Sequence, residues 1–407
     1  MLVDEILRAP ACARRYMERY VNNGSPSGFT QLYNCSPETS PLGDTPAFEL
    51  FAAEFPDDVI ENLGASPSWL APIAVPLHPD MANDVLIAAN SARMSKTAFS
   101  VTPTASGRTV ELLEPPGFGY IKLNYRGMLG RINRQITRAH AISAVEVTTI
   151  LRRATAEATL PPQFAYYPES SARVAALTNP DGGVYEWGTV FREAAEEPPG
   201  NKAVFVVPAF SLFGTDRRRP SDRLLLHQLI ERSSISAADY VFEGIVAPLL
   251  RSYFSLILNY ALQFECHAQN VLVGFNDAFY PTSVIVRDFE SVDKDVSLAE
   301  DLHLDVTFGS APYKCLYRDQ YNYSIQHSFM YDFKMGHYLL TPLIACVESA
   351  EDRTAIVART KELARSFIAR LPENFFPADG KEYRYDSVVH DRSKPRPYFG
   401  LPNPSYR

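Results

Sequence analysis

The 407-residue sequence has only five cysteines, Cys12, Cys35, Cys266, Cys315 and Cys346, widely spaced and with no Cys-x-x-Cys pair. Their scarcity and spacing argue against a disulfide framework or a cysteine zinc site, and predict reduced thiols in a cytoplasmic protein. Positive charge is not in excess: 39 Lys and Arg stand against 47 Asp and Glu, a net charge of -8, which argues against a nucleic-acid partner. The first residues, Met1-Leu2-Val3-Asp4-Glu5, place no basic region ahead of an apolar segment, so no signal peptide is expected. The longest uncharged run, near residues 252–264, is too short to span a bilayer, so no membrane partner is expected. Internal repeats and low-complexity tracts are absent.

A hydrophobic content of 46% over this length supports a large core divided into two or three subdomains. The most informative stretch is 260–292. An apolar segment leads into Glu265-Cys266-His267-Ala268-Gln269-Asn270, and the alternating run Val271-Leu272-Val273-Gly274-Phe275 follows. Asn276-Asp277 and Pro281 signal a turn, and Val284-Ile285-Val286-Arg287-Asp288-Phe289-Glu290 reads as the returning strand of a hairpin. If the first segment is also extended, Glu265, His267 and Gln269 share a face, with Asp288 entering from the neighbouring strand. Carboxylates, an imidazole and amides converging beside an apolar hairpin suit a magnesium-nucleotide site, which needs hard oxygen ligands and neutral donors. Taken singly, each residue is more simply a solvated hairpin-end side chain; the set together favours a site.

Glu-x-His-x-Gln-Asn, followed by a strand ending in Arg-Asp-Phe, resembles the C-terminal signature of the siderophore synthetases that work independently of nonribosomal peptide synthetases (NIS synthetases), the aerobactin-synthetase-like IucA/IucC family. Earlier segments match in the family's order. Ser106-Gly107-Arg108-Thr109, ahead of the β-like Val110-Glu111-Leu112-Leu113, resembles the family's Ser-x-Arg-Thr phosphate motif. Hydroxyls, a guanidinium fork and glycine-exposed amides suit phosphate oxygens, although such a tetrapeptide by itself is usually just a turn. Lys122, on a strand, and Arg134 follow at family spacing, with Gly130 where the family commonly has Thr; Arg131 and Arg138 are alternatives for the role of Arg134, but read better as surface cations. His78-Pro79 resembles a family His-Pro-Trp-Gln block, with Asp80 and Met81 replacing its last two residues. The family's earlier N-terminal block has no counterpart, which implies a shortened N-terminal subdomain.

The remaining pattern predicts helices near 2–21, 47–63, 81–92, 139–158, 221–231, 237–264, 321–347 and 350–371, a strand-rich region over 97–203, a linker at 196–200 and a buried strand over 204–213. The fold class expected is α+β, with the family's cupped-hand architecture: a thumb-like subdomain 1–84, a strand-rich fingers-like subdomain 85–200 and a palm-like subdomain 201–407. His303, His327 and His337 lack ligand spacing and are read as ordinary histidines.

The resemblance implies an ATP- and Mg²⁺-dependent ligase that adenylates a citrate-like carboxylic acid and passes the acyl group to an amine or alcohol, acting as a homodimer. The residues it singles out are Ser106, Arg108, Thr109, Lys122, Gln269 and Asn270 for ATP, Glu265 and Asp288 for Mg²⁺, and His267 with Arg134 beside the reacting carboxylate. Two other readings are a kinase-like phosphotransferase, suggested by His-x-x-Asn ahead of a paired-strand Asp, and a non-catalytic nucleotide-binding relative.

Overall fold

The computed structural model of the protein describes residues 3–23, 36–91, 93–129, 132–198, 203–309, 313–385 and 398–407. Cys35, Gly130 and Arg131 lie outside these residues, as do the end of the expected linker at 199–200 and the last residue of the expected helix 81–92.

The chain opens with α1 (Val3–Arg8) and α2 (Pro10–Tyr20). The single helix expected over 2–21 is divided because Pro10 cannot donate a backbone hydrogen bond and disfavours helical geometry in Ala9, so the second helix starts with proline in its first turn. The helix expected over 47–63 is instead β1 (Phe48–Glu54) and β2 (Ile60–Gly64). In β1 the alternation sends Leu50 and Ala52 into one core cluster and Ala53 into another. That period of two, with pairing on both edges, overrides helix propensity. β3 (Ala74–Leu77) follows, and the expected helix 81–92 shrinks to a 3-10 turn at Pro79–Met81 and α3 (Val85–Asn90), capped by Asp84.

Strands then dominate: β4 (Arg93–Pro103), β5 (Thr109–Glu114), β6 (Tyr120–Lys122), β7 (Tyr125–Leu129) and β8 (Ile132–Arg134). After α4 (Arg138–Ala156) come β9 (Phe164–Tyr166), β10 (Ser171–Thr178) and β11 (Val184–Arg192). An antiparallel eight-stranded sheet runs in the order β2-β10-β11-β6-β5-β4-β1-β3, so strands from both sides of residue 84 share it.

β12 (Phe205–Pro208) is shorter than the buried strand expected over 204–213 because α5 (Phe210–Phe213) takes over. Next come α6 (Leu225–Arg232), α7 (Ala237–Val241), a π-helical turn and α8 (Ala247–Tyr260). The continuous helical run Ala237–Tyr260 is, against expectation, long and apolar enough to cross a bilayer by length and composition; 83% of its apolar window is buried inside this fold, where it acts as the core helix. It ends at Ala261 in the left-handed conformation, φ 51°. After β13 (Leu262–Gln263), the antiparallel hairpin β14 (Val271–Phe275) and β15 (Pro281–Val286) forms as expected and joins β12 and β9 in a four-stranded sheet. The remainder comprises β16 (Asp293–Asp295), α9 (Val296–Asp301), β17 (Cys315–Leu316), α10 (Tyr323–Ser328), a π-helical segment Phe329–Leu340, α11 (Thr341–Ala345), α12 (Ala350–Ile368), and the hairpin β18 (Glu382–Tyr385) and β19 (Tyr398–Leu401). The largest core cluster joins α1 and α2 to α4, the four-stranded sheet, α8 and α12.

Candidate active site

Thr109 on β5 lies directly opposite Lys122 on β6, and Lys122 opposite Val190 on β11, so the phosphate-motif strand and the lysine strand are neighbours. The turn ahead of β5 is closed by its own polar residues: the Ser106 hydroxyl accepts from the Thr109 amide at 2.9 Å and lies 3.4 Å from that of Thr104. Gly107 has φ +75°, a conformation glycine adopts without the strain of a side chain. Arg108 is buried; Nη1 donates to the Arg134 carbonyl at 2.8 Å, and Nη2 pairs with Glu290.

Asp288 follows β15 with φ +82°, an uncommon conformation outside glycine, and is ion-paired with Lys122. The Lys122 ammonium also lies 3.2 Å from Glu290, and the Arg192 guanidinium 3.9 Å from Asp288 and 2.6 Å from buried Glu169. Arg108, Lys122 and Asp288 are thus brought together as the sequence predicted, while Glu290, Arg192 and Glu169 were missed. Glu290 was within reach, because it is two residues beyond Asp288 in the same alternating run. Arg192, at the end of β11 within the region read only as strand-rich, had no local signal of a site role, and Glu169 and His140 had none.

Burial pulls the Lys122 pKa down to about 8 even though Glu290 and Glu169 favour its charged form. Burial pushes Glu290 the other way, but Arg108 and Lys122 outweigh it and hold that carboxyl well below the usual range. His140, whose Nδ1 lies 2.6 Å from the Thr137 hydroxyl, is shifted down by burial and feels the charges of Glu290, Arg108, Lys122 and Lys314.

Glu265-His267-Gln269 does not form a strand face. Residues 267–270 are a turn, with the Asn270 and Val271 amides donating to the His267 carbonyl at 3.0 and 3.1 Å. β13 ends at Gln263, and the turn closed on the His267 carbonyl bends the chain before a strand face over 265–269 can form. Glu265, expected on a metal ion, pairs with Lys334 from the π-helical segment, and the His267 Nε2 atom is 3.9 Å from the Glu265 carboxylate. Burial lowers the His267 pKa to about 4, leaving the ring neutral at pH 7; burial raises Glu265, but Lys334, His267 and Lys314 pull it below the ordinary range.

Gln269 and Asn270 act through the backbone: their carbonyls accept from Arg287 Nε at 2.9 Å and the Arg287 amide at 3.0 Å, while the Asn270 side chain donates to the Glu265 carbonyl at 3.3 Å. Arg134 links the two groups, since its carbonyl holds Arg108 and its charge acts on His267. The arrangement offers three cations, Arg108, Lys122 and Arg192, around three carboxylates, Asp288, Glu290 and Glu169.

Among the described residues no group of three or more His, Cys, Asp or Glu side chains is arranged to hold a metal ion. Magnesium bound with a nucleotide needs fewer, one or two carboxylates alongside phosphates. Glu290 Oε2 is buried without a hydrogen-bond partner, an acceptor that suits such an ion beside Asp288. His78 is buried against Tyr125, with its Nδ1 accepting from the Asp80 amide at 3.3 Å, a turn-stabilising role.

Residues 239–374, about a third of the chain, match the family described as ferric iron reductase FhuF-like transporter. No curated protein sequence matches significantly. Among solved structures, the chain is similar to aerobactin synthetase IucA from a hypervirulent pathotype of Klebsiella pneumoniae, with a TM-score of 0.67 and 15% identity over 98% of this chain and 79% of that one. Petrobactin biosynthesis protein AsbB from Bacillus anthracis str. Sterne gives 0.70 and 12% over 96% and 74%. ATP-bound IucA, from the same Klebsiella pneumoniae pathotype, gives 0.65 and 14% over 99% and 85%. Nearly the whole chain superposes on these enzymes, and it has the α+β fold of the NIS synthetases.

Proposed function

We propose that the protein is an ATP-dependent synthetase of siderophore or related natural-product biosynthesis, activating a carboxylic acid as its acyl-adenylate and condensing it with an amine or alcohol. The observation that carries this reading is the convergence of Arg108, Lys122 and Arg192 on Asp288 and Glu290, at the junction of the phosphate-motif strand and the hairpin, in a fold shared with ATP-bound IucA.

The acid's carboxylate oxygen attacks the α-phosphorus, the bond to the β-phosphate oxygen breaks, and pyrophosphate leaves. Arg108 and Lys122 stabilise the charge that accumulates on the phosphate oxygens, with the Ser106 turn and Thr109 at its edge. Asp288 and Glu290 would hold Mg²⁺, which when bound neutralises phosphate charge. Arg134 and the Gln269-Asn270 turn orient the acid. The nucleophile then attacks the acyl carbon, AMP leaves, and His267, neutral at physiological pH, is available to take the proton released by the amine or alcohol. Glu265, tied to Lys334, supports His267 rather than the metal.

The test is product analysis with ATP, Mg²⁺, a panel of di- and tricarboxylic acids and hydroxylamine. Acid-dependent AMP, pyrophosphate and hydroxamate are expected, and Arg108→Ala or His267→Ala should lower the rate about 100- to 1000-fold. ADP as the product would instead mean phosphoryl transfer, and full activity in either variant would remove that residue from the site.

A further inference from the structure

Glu18, near the end of α2, is buried, and its two carboxylate oxygens go to two parts of the site that are distant in sequence. Oε2 accepts from the Ala105 amide at 3.1 Å, immediately before Ser106 in the turn that leads to Arg108. Oε1 accepts from Arg287 Nη1 at 2.6 Å, immediately before Asp288. Arg287 in turn holds the His267–Asn270 turn through its bond to the Gln269 carbonyl. One carboxylate therefore joins the phosphate turn to the side chain of Arg287, the residue before Asp288, and through Arg287 to the His267 turn.

Elsewhere on α2, Tyr16 donates to Asp216 at 2.8 Å and Arg19 Nη2 donates to the Gly43 carbonyl at 2.6 Å, both on segments outside the site, while Arg14 and Arg15 pair with Glu111 on β5 at 3.5 and 2.9 Å. Glu18 differs from these in joining the Ser106 turn to Arg287. From this bridge we infer that Glu18 is a positioning residue for nucleotide binding, setting the separation between the Ser106 turn and Asp288 from an N-terminal helix that carries none of the sequence motifs. The inference rests on the nucleotide reading above. Arg108 follows the Ser106 turn and Asp288 follows Arg287, and Lys122 pairs with Asp288, so the separation that Glu18 sets decides whether the cations and Asp288 can engage Mg²⁺·ATP at once.

The experiment compares wild type, Glu18→Gln and Tyr16→Phe in three readouts: Kd for Mg²⁺·ATP, KM for ATP against KM for the acid, and amide exchange without nucleotide over 103–109 and 265–288. Glu18→Gln should weaken Mg²⁺·ATP about tenfold or more, raise KM for ATP but not for the acid, and speed exchange in both segments. Tyr16→Phe should lower the melting temperature with none of these changes. Should Glu18→Gln fail to fold, Arg287→Lys keeps the charge beside Glu18 while releasing the Gln269 carbonyl, and should weaken the same binding by a smaller factor. Unchanged nucleotide binding in folded Glu18→Gln, or in Arg287→Lys where that variant replaces it, overturns the assignment alone. Wild type that binds no ATP overturns the nucleotide reading and the assignment with it.

Discussion

A buried ammonium stays charged only where neighbours replace the water it has lost, and Lys122 has Asp288 and Glu290 for that purpose. The compensation is incomplete, since its pKa falls from the ordinary 10.5 to about 8. If Lys122 binds phosphate as the ammonium, kcat/KM for ATP should fall with a single deprotonation as pH rises through about 8, and Lys122→Arg should move that limb beyond the accessible range. A profile flat to pH 9.5 would remove Lys122 from phosphate binding. Unfolding cannot imitate this limb through Lys122 itself. Its folded pKa lies below the unfolded one, so between about pH 8 and 10.5 the unfolded chain binds more protons and this group's contribution to stability rises with pH. Arg108 and Asp288 could be singled out in the sequence because each sits in a short motif whose residue types suit phosphate or metal, and Lys122 because it stands at the spacing of the resembled family. Glu169 and Lys334 could not, because each reaches the site from a segment whose local pattern says only strand edge or helix.

At the level of elements, the reading succeeded where apolar period and length agreed, as in α4, the β14–β15 hairpin and the 237–260 helix. It failed over 47–63, where spacing also compatible with a helix is settled by pairing to β3 and β4, and over 265–270, where alternation that suits a strand is overruled by the turn closed on the His267 carbonyl. Close approach of elements is equally hidden in sequence. On β11, a Cβ added to Gly188 would lie 2.7 Å from both the Ile136 carbonyl oxygen and Cγ2, and the Gly188 amide donates to that same carbonyl at 2.8 Å. Ile136 is two residues from Arg134, whose carbonyl receives Arg108. Gly188→Ala should therefore cost roughly 1–3 kcal/mol in a denaturant melt, the range for overpacking, and also weaken ATP binding by displacing the Arg108 acceptor. Loss of stability with unchanged binding would show that the 134–137 segment moves without carrying Arg108 along.

Across the whole molecule, the site lies where several distant parts of the chain meet: α2, the eight-stranded sheet, the hairpin of the four-stranded sheet and the π-helical segment that supplies Lys334. The residues at 406 and 407 secure that last part. Tyr331 donates to the Tyr406 carbonyl at 2.8 Å, the Tyr406 ring packs where a Cβ on Gly336 would meet it at 3.2 Å, and Arg407 Nε donates to the buried Asp332 carboxylate at 2.9 and 3.0 Å. π-helical geometry is rare and often marks functional positions; here it sets Lys334 against Glu265. Removing the Tyr406 ring should cost about 3–5 kcal/mol, as for other buried aromatics, and the loosening should follow the contacts inward. In Tyr406→Ala, amide exchange should speed up over 329–340 and over 264–270, and remain unchanged over 104–122, which Arg108 and Lys122 hold by separate bonds. Uniform acceleration across all three segments would mean that the two halves of the site open as one unit; faster exchange confined to 329–340 would mean that the Lys334 pair does not support the Glu265 turn.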